Sequence, residues 1–147
     1  MRRITSLSWR HVGLFAQALV ALLLVRWHLD RRRGHRLRQL VECNRARDRA
    51  PDHVLSETAW AVAAISRHFP KATCLTQATV GQWLLARQGY ATTIRISVPR
   101  GPSAAADPRP HAWLMSGDTI VLGGTPAQYH SHVMLHDYPL PASGSAR

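Results

Sequence analysis

The 147-residue chain is 46% apolar and 18% charged, too hydrophobic for general disorder and large enough for one modest core. Its formal net charge is +11, but the charge is uneven: residues 1–50 hold twelve Arg against three acids, a net of +9, whereas residues 51–147 hold seven basic against five acidic residues, a net of +2. Two cysteines exclude a disulfide framework, and a thiol kept reactive fits a reducing, cytoplasmic setting.

The first apolar run, Val12 to Val25, is interrupted only by Gln17 and is followed by Arg26 and then Asp30-Arg31-Arg32-Arg33. At about fourteen residues it falls short of the roughly twenty needed to cross a bilayer. No small-residue cleavage site follows it, which argues against a signal peptide. A buried or interfacial helix from Val12 to about Asp30 is expected, with Gly34 as its break and membrane association not expected. A second, polar helix is expected over His35 to Arg47. Its arginines invite a nucleic-acid reading, but no aromatic residues are interleaved with them and no groove-reading motif is present. Nucleic acid is therefore not expected as a partner.

The next helix runs from about His53 to His68, with Leu55, Ala59, Val62 and Ile65 at helical spacing and Pro70 as its end. Thr73 then caps a helix from Cys74 to Gln88, which Gly89 stops. Residues 91–98 follow as a strand, with Ile94, Ile96 and Val98 on one face. Pro99 to Pro110 is a long loop. His111 to Met115 and Thr119 to Leu122 form a hairpin about Ser116-Gly117-Asp118, and Tyr129 to Leu135 is expected as a last strand. Helices first, a Cys-bearing helix and then antiparallel strands give an α+β class. The expected organisation is a basic helical segment over 1–50, a Cys/His core over 51–140 and a tail over 141–147.

Cys74 sits in the first turn of its helix, where unpaired amides and the positive dipole end stabilise a thiolate. His111, at the start of a strand, is its candidate base. The imidazole takes the thiol proton, the thiolate attacks an amide carbonyl, and the imidazolium protonates the leaving amine. Amides at the helix start are candidate oxyanion donors. A lone Cys is also a common small core hydrophobe, and Trp113 reads equally as site neighbour or core. Cys43, on an Arg-rich helix, reads as structural. His130, His132 and His136 make an H-x-H-x3-H pattern, but no Cys or Glu completes a zinc set, so exposed strand histidines are expected. No metal or cofactor is expected.

The pattern Cys74-Leu75-x-Gln77-Ala78-x6-Leu85-x3-Gly89, then a strand, then His111-Ala112-Trp113 and a Gly-bearing turn, resembles the lasso peptide biosynthesis B2 proteins. These are transglutaminase-like cysteine leader peptidases with a papain-like core. The resemblance covers most of residues 12–124. It implies a cysteine protease that cuts a ribosomally made lasso precursor peptide after its leader. It also implies two partners, a discrete leader-binding protein and a separate ATP-dependent macrolactam cyclase. The family's third catalytic member is an Asp about a dozen residues after the His, and here that neighbourhood reads Leu122-Gly123-Gly124-Thr125. Asp118, at the hairpin turn, lies too far away, so the orienting role falls to Asp137, a backbone carbonyl or water. Asp137 requires the last strand to fold back beside His111. The missing Asp also motivates an alternative, a non-catalytic scaffold of the same fold that binds precursor or partner proteins.

Overall fold

Thr73 starts the helix that the rest of the chain is built around. Its hydroxyl accepts the Thr76 amide at 3.2 Å, and helix α3 then runs Cys74–Arg87. The computed structural model describes residues 9–31, 39, 48–70, 72–101 and 109–140. Apart from residue 39, the expected helix 35–47 lies outside the described residues, as do Cys43, Arg32 and Arg33, most of the 99–110 loop and the 141–147 tail.

Two helices precede α3: α1, Trp9–Asp30, and α2, Asp52–Ser66. Four strands follow: β1 Thr93–Pro99, β2 His111–Ser116, β3 Thr119–Leu122 and β4 His132–Pro139, with a short helix α4, Pro126–His130, before the last. The sheet order is β3-β2-β1-β4, and every pairing is antiparallel. This is the expected α+β architecture.

Helix α3 packs on β2 and against both α1 and α2. One core gathers Ala18, Leu22 and Val25 from α1, Leu55 and Val62 from α2, Val80, Leu84 and Leu85 from α3, and Ile94, Leu114 and Leu122 from the sheet. The first helix, assigned by charge to a basic segment of its own, thus gives one side to the common core.

Gly81 sets how closely α3 approaches the sheet. A Cβ built there would lie 2.6 Å from Leu114 Cδ2 and 2.8 Å from Leu122 Cδ1. Gly81→Ala is expected to lower stability by about 1–3 kcal/mol in denaturant unfolding, because both leucines must leave their seats. Buried Gln82 ties the sheet's other end to the helix, its Nε2 donating to the carbonyls of Thr92 at 3.2 Å and Tyr138 at 3.3 Å.

The chain after β3 departs from expectation. Tyr129 and His130 belong to α4, and the strand starts at His132 and continues to Pro139. Thr125 and Gln128 form a reciprocal capping box with Pro126 in the first turn. Those contacts outweigh the alternation of polar and apolar residues that suggested a strand from Tyr129. His130 therefore does not share a strand face with His132.

Candidate active site

Two elements converge on the thiol. Cys74 opens α3 and His111 opens β2, and the two side chains interact directly across the helix–sheet junction. The His111 hydrogen bond holds the thiol pKa below its ordinary value. Partial burial opposes this, while the Ala112 backbone, the charge of His111 and the Leu75 backbone assist. The helix N-terminus predicted from Thr73 and the strand predicted from His-Ala-Trp therefore meet at one sulfur atom.

The other side of the imidazole is fixed by main chain. His111 Nε2 lies 2.5 Å from the Gly123 carbonyl oxygen. A carbonyl only accepts, so Nε2 carries the proton and Nδ1 is the nitrogen available to the thiol. The Trp113 ring stacks edge-on against His111 with centroids 4.5 Å apart. Trp113 is fully buried, and its Nε1 donates to Ser97 Oγ at 2.7 Å. The histidine is thus braced by a locked indole and by a carbonyl.

Gly123 reaches this position through its backbone. Its φ is +120°, and a Cβ would lie 2.9 Å from Trp113 Cε3 and 3.0 Å from the Ala112 carbonyl oxygen. Glycine alone fits without displacing the tryptophan. Where the sequence resemblance expects an Asp, the chain presents a peptide oxygen.

Asp137 does not take the orienting position. Both of its carboxylate oxygens are held by Arg95, at 2.8 Å from Nε and 2.7 Å from Nη2, and Arg95 also donates to the Tyr129 hydroxyl. The strand order explains the correction. The last strand folds back against β1, not β2, and pairs Asp137 with Arg95, two strands away from His111. That is about 10 Å across the sheet at ~4.8 Å per strand. Arg95 holds the Asp137 carboxyl below its ordinary pKa, against a smaller effect of burial.

Asp137→Asn is therefore expected to change the rate of any Cys74-dependent reaction less than about twofold and to cost about 1 kcal/mol of stability. The pair's contribution is present above the ordinary carboxylate range and fades as pH falls through Asp137's depressed value. An acid titration of the thermal midpoint should accordingly flatten in the variant.

A cleft of about 510 Å³ opens over the sulfur, with Trp60 and Ala63 of α2, Gln77 of α3 and the 121–124 segment among its walls. Trp60 is half exposed there and also packs on Phe15 of α1, ring centroids 4.6 Å apart. For α2 the sequence offered only the helical spacing of Leu55, Ala59, Val62 and Ile65, so Trp60 was missed as a cleft wall. The apolar spacing marks only the helix's buried face. Among the described residues no group of three or more His, Cys, Asp or Glu could hold a metal ion.

Chemically, the arrangement provides a thiol of lowered pKa at a helix start and an imidazole with a fixed tautomer, both lining an open cleft. A family model described as the transglutaminase-like superfamily matches residues 19–135. Comparison with curated proteins and with solved structures gave no match in either.

Proposed function

Because the chain belongs to the transglutaminase-like superfamily and pairs a helix-start thiol with a strand histidine, we propose that it is a cysteine peptidase. Its substrate on this reading is a ribosomally made lasso precursor, cut after the leader. The chain works with a discrete leader-binding protein, and a separate ATP-dependent macrolactam cyclase consumes the freed core.

The observation that carries the reading is the hydrogen bond between the Cys74 and His111 side chains, which lowers the thiol pKa. His111 Nδ1 takes the thiol proton, and Cys74 Sγ attacks the carbonyl carbon of the scissile amide. Negative charge then develops on the carbonyl oxygen beside the helix-start amides. As the C–N bond breaks, the imidazolium gives its proton to the leaving amine, which becomes the core N-terminus. Water, deprotonated by the same imidazole, hydrolyses the acyl-thioester and releases the leader. The Gly123 carbonyl holds Nε2–H throughout and keeps the ring aimed. An extended peptide fits the open cleft, and the Trp60 face offers an apolar wall for one of its side chains.

The test is leader removal by purified protein with synthetic precursor and leader-binding protein, read by mass spectrometry. Wild type is expected to release leader and core, and Cys74→Ala is expected to release neither. A neutral carbonyl in place of the expected Asp favours the scaffold reading, which predicts precursor binding without cleavage by either protein.

A further inference from the structure

We infer that α1 is a membrane-surface element that lays its outer face on an anionic bilayer. The helix is apolar on both sides. Ala18, Ala21, Leu22 and Val25 are buried in the core, while Val12, Leu19, Val20, Leu23, Leu24 and Trp27 are each between 39% and 53% exposed. These six fall at spacings of one, three and seven residues, so they form a single stripe. From Val12 to Trp27 the stripe is about 22 Å long. Trp9, 88% exposed, precedes it and Trp27 closes it, and tryptophan is the side chain that settles at a lipid–water boundary.

Charge selects the occupant. Arg31 lies over the Trp27 ring at 4.6 Å, directly beyond the stripe. In sequence, residues 1–50 carry a net of +9, including the run Arg31-Arg32-Arg33. Basic side chains beside an apolar helix face complement anionic headgroups. The same charge opposes stacking the stripe on a second copy. A convex helix ridge also offers no pocket for an anchoring side chain of a protein partner.

By length and composition, His11–His28 is apolar enough to cross a membrane, but crossing would strip four core residues from α2 and α3. Lying along the surface leaves them in place and immerses only the outer stripe. The sequence expectation against membrane association rested on the run being too short to span, a length that surface binding does not require. Trp60, which packs on Phe15 of α1, also lines the Cys74 cleft, so membrane contact would hold that cleft close to the lipid surface.

The experiment is flotation of the purified full chain with vesicles of phosphatidylcholine alone or mixed with phosphatidylglycerol. The chain is expected to float with the anionic vesicles, progressively less as salt rises, and not with the neutral ones. Val20→Glu with Leu23→Glu should weaken that binding about tenfold or more, while thermal unfolding and leader cleavage stay at wild-type level. Arg31, Arg32 and Arg33 changed together to Gln should weaken it about a hundredfold at low salt. Failure of the wild-type chain to float with anionic vesicles overturns the proposal, as does flotation unaffected by the two glutamates. A salt-resistant dimer that the same glutamates dissociate would assign the stripe to a second copy and overturn it equally. So would retention of the stripe by the leader-binding protein without vesicle binding.

Discussion

If the chain is the proposed leader peptidase, Cys74→Ala is expected to abolish leader removal, with kcat/KM falling by about four orders of magnitude or more, while the thermal midpoint stays close to wild type. The loss is large because alanine offers no nucleophile at the position that His111 addresses. The fold survives because the thiol is only half buried, and the cap that starts α3 runs between Thr73 and Thr76, not through Cys74. His111→Ala should lose a comparable factor, since the thiol then lacks both its proton acceptor and the largest cause of its lowered pKa. Combining the two changes should add little to either alone, because nucleophile and base act as one unit. Near-normal turnover in either single variant would remove the dyad.

Gly123→Ala gives the second large effect. The added methyl must push on Trp113 and on the Ala112 carbonyl, and φ of +120° is strained for an L residue. Either relaxation moves the carbonyl that fixes the His111 tautomer. The expected result is a drop in kcat of about tenfold to a hundredfold with KM little changed, since a carbonyl acts through the imidazole and not on the substrate. Gly124→Ala provides the comparison. Its φ is +141°, and its nearest neighbour would be the end of the Gln128 side chain, so it should lose stability while keeping more of the rate. Equal kcat losses in the two variants would mean that general strain, not the Gly123 carbonyl, controls the histidine.

What the sequence revealed was local. Thr73 before an apolar run marked the start of α3, Gly89 (φ +87°) its end, and Gly117 (φ +57°) the hairpin turn. Those signals placed Cys74 and His111 at the ends of their elements before any tertiary contact was known. The position of β4 was not legible, because its pairing with β1 instead of β2 is a choice between distant segments of similar polarity. Asp137 was consequently aimed at the wrong partner and belongs to Arg95. A backbone carbonyl was one of three orienting groups left open, but not Gly123's in particular, for a simple reason: every residue carries a carbonyl, so a main-chain acceptor leaves no mark in the residue pattern. Gly123 was visible only as a missing Asp. The capping box at Thr125 and Gln128 was written in the chain, but the alternating histidines after it suggested a strand too early. In α1, apolar residues on all sides left the buried and exposed faces indistinguishable until the packing was known.

The most direct measurement of the central claim is the pH dependence of Cys74 alkylation by iodoacetamide, followed by mass spectrometry on the peptide that contains Cys74. Because the His111 hydrogen bond lowers the thiol pKa, the wild-type reactivity profile is expected to lie below the ordinary thiol pKa of about 8.5. In His111→Ala the profile should move up toward that value, because only the backbone and the helix end remain to favour the anion. Superimposable profiles for the two proteins would contradict the account, since the thiol would then owe nothing to the histidine.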